Sequence, residues 1–323
     1  MTVLVTGGLG YIGSHVVRVL ESRGEHVVIV DDFSTGRPSR ARDTPVVRVD
    51  LSEPGSVGVV SEVILEHGVS SVIHLAAKKK VGESVERPLW YYSQNLNSLI
   101  NVLSATSTTA VQRLVFSSSA AVYGSPATSI IPESAPLAPI NPYGETKSFG
   151  ERIAEAASVA SGIRVVSLRY FNVAGAGWND LAEVGAHNLL PMTIERIRGG
   201  QRPVIFGNDY PTADGTCVRD YIHVLDLAEA HVAAIDYLAQ PDAPNMALNV
   251  GTGRGTSVLE LVTAVCTAMG TSLTPEFAAR RNGDPASVVA SVELIRSALS
   301  WKSRLDLMDM VRSTLEARET DAD

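Results

Sequence analysis

Thr2-Val-Leu-Val-Thr6-Gly7-Gly8-Leu9-Gly10-Tyr11-Ile12-Gly13 opens the chain, and a helical stretch from Ser14 to about Arg23 follows at once. A short apolar, β-branched run reads as a strand, the glycines as a turn and the next segment as a helix. In that context a glycine-rich spacing carries chemistry. Gly7 allows the tight turn, Gly10 the close approach of a pyrophosphate to the backbone, and Gly13 the packing of helix on strand. Unpaired N–H groups and the helix dipole favour an anion at that N terminus, where Tyr11 and Ile12 would also meet it.

Working outward, His26-Val-Val-Ile-Val30 is a second strand ending in Asp31-Asp32, about 20 residues past the glycines, as a ribose-binding carboxylate requires. Asp31 favours NAD over NADP, because a carboxylate there repels a 2′-phosphate; Asp32 flanks it. The pattern repeats through Val46–Val49, a helix to about His67 and the run Ser71–Ala77. Strands and helices alternating at this length imply an α/β fold, a Rossmann-type doubly wound parallel sheet. Asp50, Leu51, Leu75 and Ala76, at strand ends, are expected on the adenine and ribose side. Lys78-Lys79-Lys80 follows. A lysine triplet is commonly a solvated surface, but beside a dinucleotide site at least one of the three meets phosphate or ribose. A helix over 88–107 carries Tyr91 and Tyr92, read as packing residues, and Asn95, read as a cofactor contact.

The reactive groups are expected in Phe116-Ser117-Ser118-Ser119 and Asn141-Pro142-Tyr143-Gly144-Glu145-Thr146-Lys147. A Tyr and a Lys four residues apart share one helical face. An ammonium nearby pulls a phenol down from its ordinary pKa near ~10. Serine hydroxyls at the end of the preceding strand can share the substrate proton, so the set reads as proton and hydride removal from a carbinol. Taken alone, the pair fits a helix surface equally well; the glycine turn decides.

Composition sets the outer limits. The 323 residues are 45% hydrophobic and 19% charged, the balance of a globular enzyme with one large and one smaller core. A net charge of −8 argues against nucleic acid as partner. Cys217 and Cys266 have no metal-ligand spacing and fit a reducing cytoplasm, and no metal site is expected. The chain enters a strand directly and has no apolar run of ~18 residues, so neither a signal peptide nor a membrane span is expected.

Beyond residue 123 a Pro-rich stretch to Pro142 reads as a functional loop over the crevice, and a helix over 143–160 leads to strand Arg164–Phe171. Regular alternation stops near residue 173. The runs 203–212 and 214–223 read as a turn-rich pair of short strands. A helix over 225–239 and strand Ala247–Val250 return to the main sheet. Residues 1–172 with about 222–252 are thus the cofactor domain, and 173–221 with 253–323 a smaller substrate domain. Arg280-Arg281-Asn282-Gly283-Asp284 offers two guanidinium forks suited to a diphosphate. The acidic end from Glu316 to Asp323 is expected to fray.

Read together, Gly7–Ser14, Val81–Ser84, Ser117–Gly124 with Tyr143–Lys147, and Ile205–Val224 make the chain resemble the UDP-glucose 4-epimerase (UDP-galactose 4-epimerase) family of extended short-chain dehydrogenases/reductases. The most specific block is Phe206-Gly-Asn-Asp-Tyr-Pro-Thr with Asp214-Gly-Thr-Cys-Val-Arg-Asp-Tyr-Ile-His. The resemblance implies a redox cycle without net redox change. Tyr143 as phenolate takes the proton of the sugar 4-hydroxyl while the C4 hydride passes to tightly held NAD, with Ser119 sharing the proton and Lys147 tuning Tyr143 and holding the nicotinamide ribose. The 4-keto sugar then turns about its diphosphate link and takes the hydride back on its other face.

The same resemblance adds Lys79, Ser117 and Tyr170 beside the cofactor. It places Asn172, Asn188, Leu189 and Lys79 near the sugar or diphosphate, and Phe206, Arg219, Arg281 and Asp284 around UDP. A homodimer through the helices 88–107 and 143–160 is implied. This chain departs from the pattern at Ala121, where many relatives carry Thr, and in a shorter loop between Gly175 and Asn188. It also has Val288 where galactose-restricted members carry a bulky Tyr, which implies tolerance of UDP-N-acetylhexosamines. A 4,6-dehydratase would carry an acidic pair where this chain has Ser119-Ala120-Ala121, and an NAD-sensing regulator would lack Tyr143 or Lys147. A decarboxylase, or an epimerase of a carboxylated sugar such as UDP-glucuronate, stays open.

Overall fold

The computed structural model describes residues 1–126, 128–185, 188–281 and 283–320. Strand β1 (Thr2–Thr6) has Val3, Leu4 and Val5 fully buried, so both of its faces are covered, as in the middle of a parallel sheet. Its side chains alternate: Val3 and Val5 join one core, Leu4 the other. Helix α1 (Tyr11–Ser22) begins inside the glycine stretch rather than at Ser14. Strands β2 (His26–Asp31) and β3 (Val46–Arg48) lie to one side of β1. Helix α2 (Ser56–His67) carries the chain back to β4 (Ser71–His74) on the other side. β4 ends at His74, short of the expected Ala77: the Leu75 N–H still bonds the Thr6 carbonyl at 3.1 Å, but the Ala76 N–H donates to the Thr6 hydroxyl at 3.3 Å instead of to a strand backbone.

Helices α3 (Val81–Glu86) and α4 (Pro88–Ser107) lead to β5 (Arg113–Ser119). The loop that follows contains a short strand, β6 (Ile130–Ile131), which local pattern did not indicate. Helix α5 (Pro142–Ser161) is capped by Asn141, whose side chain accepts from the Gly144 N–H at 2.9 Å, and Pro142 suits the first turn, where its missing N–H costs nothing. β7 (Arg164–Tyr170), β8 (Asn172–Ala174), α6 (Leu189–Arg198), β9 (Val204–Phe206) and β10 (Val218–His223) follow. Then come α7 (Val224–Leu238), β11 (Met246–Val250), β12 (Gly255–Ser257), α8 (Val258–Ala268), β13 (Glu276–Ala278), β14 (Ser287–Ala290), α9 (Glu293–Leu299) and α10 (Leu307–Thr320).

The main sheet has seven parallel strands in the order β11-β7-β5-β4-β1-β2-β3. The path reverses between β1 and β4, so a crevice opens above their C-terminal ends. One core joins the sheet to α1 and α7 through Val16, Val17, Leu227 and Ile235; the other joins it to α2, α4 and α5 through Val60, Ile64, Leu99 and Ala154. Each fully buried Val or Leu contributes about 1.5–3 kcal/mol relative to exposure.

A smaller layer is built on β10, which is parallel to β8 and β14 and antiparallel to β12, with β6 at the edge beside β14. The expected pairing of 203–212 with 214–223 is not formed. β9 pairs with β13 instead, because residues 207–216 fold on themselves through a Tyr210 N–H to Gly215 carbonyl bond of 2.9 Å. The chain end also differs from expectation: α10 continues to Thr320 because Val311, Thr314 and Ala317 are buried along one face. Residues 321–323 lie outside the described residues. No described helix is long and apolar enough to cross a membrane.

Candidate active site

The glycine turn forms one wall of a cavity of about 720 Å³. Gly7 has φ +69°, and a Cβ there would lie 2.8 Å from the Ala76 N atom, so the β1 turn and the chain leaving β4 touch without room for a side chain. At Gly13 a Cβ would lie 2.1 Å from the Gly7 carbonyl oxygen. At Gly10 the nearest atom is that same carbonyl at 3.3 Å, which leaves its cavity side open. No side chain caps the N terminus of α1. An uncapped helix start behind a bare backbone is a fitting seat for a dinucleotide pyrophosphate.

The structure brings nearly all expected cofactor contacts to this cavity. Gly7, Gly10, Tyr11, Ile12 and Gly13 line its floor. Asp31, Asp32, Asp50, Leu51, Leu75 and Ala76 line one end. Lys79, Asn95, Tyr143, Lys147 and Tyr170 line the rest. Asp31 accepts the Leu9 N–H at 3.0 Å and the Phe33 N–H at 2.8 Å, and burial raises its pKa against those hydrogen bonds. Asp32 lies lower than an ordinary carboxylate: burial raises it, but bonds from Ser34 and Lys78 outweigh burial.

Lys78 was not singled out within the triplet. Its Nζ lies 3.0 Å from Asp32 and 2.8 Å from the Ser34 hydroxyl. Asn95 clamps its backbone, accepting from the Lys78 N–H at 2.8 Å and donating to its carbonyl at 3.0 Å. The Asn95 amide is therefore already engaged in positioning the lysine segment. Only the triplet's place at a strand end pointed to Lys78.

Tyr143 and Lys147 line the other end, and Ser119 meets the Tyr143 phenol there without lining the cavity itself. Ser119 ends β5, and its hydroxyl is hydrogen-bonded to the phenol of Tyr143 and accepts the Ala121 N–H at 3.2 Å. Lys147 is buried and donates to the Ser117 carbonyl at 2.7 Å, with its Nζ 6.0 Å from the Tyr143 ring centroid. The expectation of a lowered Tyr143 pKa is corrected here. Burial raises it, the Ser119 bond opposes, and the ammonium is anchored to the strand carbonyl. Burial also pushes Lys147 down to about 8, with Glu151 opposing.

Ser117 does not line the cavity with its side chain; that hydroxyl is buried and bonds His231 Nε2 at 2.8 Å. Its contribution is the carbonyl under Lys147. Tyr91 is buried and accepts the Lys80 N–H at 2.9 Å, in keeping with a packing role. His15 pins the front of α1: its Nδ1–H donates to the Tyr11 carbonyl at 2.8 Å and its Nε2 accepts the Gly177 N–H at 2.9 Å.

The expected substrate contacts, Lys79 and Tyr143 aside, lie off this cavity. Phe206 lies under Arg281, whose guanidinium carbon is 4.1 Å from the ring centroid. Arg219 is 3.7 Å from Asp284 and donates to the Pro285 carbonyl at 2.8 Å. Val288 on β14 is the register partner of Arg219 on β10, and Asn172 on β8 that of Tyr221. The Asp284 N–H donates to the Arg281 carbonyl at 3.4 Å, so one turn links Arg281 over Phe206 on β9 to Arg219 on β10. Asn188 donates to both oxygens of Glu183 at 2.8 and 2.7 Å, and Glu183, on the cavity wall, is 3.2 Å from Lys79. Leu189 packs against the core of α6, α8 and α10. Among the described residues no group of three or more His, Cys, Asp or Glu could hold a metal ion.

The chain belongs to the NAD dependent epimerase/dehydratase family, whose sequence model matches residues 3–251. Its relatives within that family include UDP-glucose 4-epimerases. The one from Azospirillum brasilense is 43% identical over 319 residues, covering 97% of this chain and 90% of its own. The crystal structure of the Stenotrophomonas maltophila UDP-glucose-4-epimerase with bound NAD and formylated UDP-arabinopyranose aligns with a TM-score of 0.94 at 39% identity, covering 100% of this chain and 99% of that one. The Bifidobacterium longum UDP-glucose 4-epimerase in complex with NAD+ and UDP aligns with a TM-score of 0.91 at 36% identity, covering 100% and 99%.

Proposed function

We propose that this chain is an NAD-dependent isomerase that inverts C4 of a UDP-hexose, interconverting UDP-glucose and UDP-galactose. The observation that carries the reading is that Tyr143 and Lys147 line a cavity whose floor is an uncapped, glycine-bared helix start, with Ser119 hydrogen-bonded to the Tyr143 phenol from behind that wall. The cofactor is NAD, whose nicotinamide would supply a reversible hydride acceptor for the sugar carbon. Gly10, Tyr11 and Ile12 would hold its pyrophosphate, Asp31 its adenosine ribose, and Lys147 and Tyr170 its nicotinamide end.

Tyr143, as phenolate, removes the proton of the 4-hydroxyl and later returns it, and Ser119 shares that proton across their hydrogen bond. The phenol is raised by burial in the chain alone, so the phenolate depends on positive charge brought close to it, from Lys147 and from the oxidised nicotinamide. Arg219, Arg281, Asp284 and Phe206 hold the UDP portion away from the reacting carbon, with Asn172, Asn188, Leu189 and Lys79 nearer the sugar. Anchoring through the nucleotide leaves the hexose free to turn over between the two hydride steps, because binding energy is drawn from a part of the substrate that does not react.

Residues 1–172 with about 222–252 then serve as the NAD-binding part, and 173–221 with 253–323 as the UDP-sugar part. Val288, smaller than Tyr, supports acceptance of UDP-N-acetylhexosamines as well. Ile100 on α4 and Phe149 on α5 are exposed on two helices packed together, which supports a homodimer through that pair. Two free thiols fit a cytoplasmic enzyme, and the charge of −8 fits a partner other than nucleic acid. Tyr143→Phe tests the reading: turnover of UDP-galactose is lost while NAD released from denatured protein stays at the wild-type amount. Retained turnover in that variant would contradict it.

A further inference from the structure

Behind the reacting groups lies a buried ion pair that the reaction does not touch. Glu151, one turn of α5 beyond Lys147, accepts the Ser118 hydroxyl at 2.5 Å, Arg169 Nε at 2.9 Å and Arg169 Nη2 at 2.6 Å. Arg169 is buried and also donates to the Tyr123 hydroxyl at 2.9 Å and the Glu133 carbonyl at 3.0 Å. Ser118 sits between Ser117, whose carbonyl holds Lys147, and Ser119, which meets Tyr143. Arg169 directly precedes Tyr170 on the cavity wall. One carboxylate thus ties β5, β7 and α5 together at the residues adjoining the chemistry. A buried ion pair is weak as a source of stability, since apolar replacements often do as well. Its placement calls for another role.

We propose that Glu151, held by Arg169, is a positioning residue for Lys147: it fixes the Ser117 carbonyl that receives the ammonium and sets a carboxylate one helical turn away from it. The proposal rests on the functional reading above. The groups facing Lys147 are few. Tyr143 and Glu151 come from α5, His74 from β4, and the Phe116 ring, 5.1 Å from Nζ, and the Ser117 carbonyl from β5. Burial pushes His74 down to about 3, so it carries no charge near neutrality. Glu151 is then the group that works against burial to keep Lys147 protonated.

The chain has five lysines, so Lys147 can be followed by NMR of ε-13C-lysine-labelled holoenzyme, with the signal assigned by Lys147→Arg. In Glu151→Gln its titration midpoint is expected to fall by about one unit, with about fivefold lower turnover at pH 8, where the protonated fraction drops from about one half to about one tenth. Because that variant leaves the guanidinium buried without its carboxylate, E151Q/R169Q is measured beside it, and a smaller fall in the same direction is expected. NAD content stays at the wild-type level in both. A Lys147 titration unchanged in whichever variant folds, with only Tm lowered, would overturn the proposal and leave the pair a purely structural one. Failure of the functional reading is seen separately, as absence of turnover in the wild type.

Discussion

Lys147 donates its proton to the Ser117 carbonyl at 2.7 Å rather than to the neighbouring phenol. The ammonium is therefore fixed by the backbone of β5, and its field reaches Tyr143 through space across 6.0 Å to the ring centroid. Lys147→Met should lower kcat by about 10²–10⁴, the usual worth of a proton-transfer group and its activator. KM for the UDP-sugar should change far less, because the nucleotide is held elsewhere. Steady-state kinetics check this; equal losses in kcat and 1/KM would point to a binding role instead.

The pH dependence of stability is set largely by buried histidines. Burial pushes His15 and His74 down to about 3, and His223 and His231 to about 4. An unfolded His titrates near 6.5. The unfolded chain then binds more protons below about 6.5, so stability is full above that pH and falls as pH drops toward 4. Asp31, Asp220 and Asp226, raised by burial, work in the opposite direction and shallow the slope. Chemical denaturation between pH 7 and 4.5 should show the decline; a flat profile would contradict it.

Gly7→Ala should be costly. Its φ of +69° and the 2.8 Å approach to the Ala76 N atom leave no place for a methyl group. A loss of about 1–3 kcal/mol from backbone strain is expected, together with loss of bound NAD, read from the melting curve and from cofactor released on denaturation.

Lys78→Met should weaken NAD binding by about three- to tenfold. Without the ammonium 3.0 Å from Asp32, two adjacent carboxylates face the ribose end unneutralised, and a partly exposed pair of this kind is worth about 1 kcal/mol. Titration of cofactor-free protein with NAD measures the effect, and raised ionic strength should narrow the difference.

Val288→Tyr should cut the rate with UDP-N-acetylglucosamine by tenfold or more, on the order of 1–3 kcal/mol for a crowded pocket, and leave UDP-glucose nearly unaffected. The ratio of the two rates, wild type against variant, is the measurement.

Much of this was legible because it is local. The strand-turn-helix at Thr2–Gly13 and the shared helical turn of Tyr143 and Lys147 depend only on neighbours in sequence, and both elements form, although α1 starts at Tyr11 and burial raises the phenol. What local pattern did not show depends on partners far along the chain. β9 pairs with β13, some 70 residues on, and the short β6 exists only because β14 lies beside it. α10 persists to Thr320 because its apolar face finds a core. Lys78 and Lys79 are indistinguishable as neighbours; only the sheet order, which brings the chain after β4 near the end of β2, turns Lys78 toward Asp32. The same holds for Glu151 and Arg169, which share no motif and meet only in the fold.

The central claim is tested most directly by incubating purified protein with UDP-glucose, without added NAD, and following the sugar's stereochemistry by proton NMR. Appearance of UDP-galactose, up to a constant ratio reached equally from either sugar, is the result this account predicts. No change at C4, from protein that still releases NAD on denaturation, would contradict it.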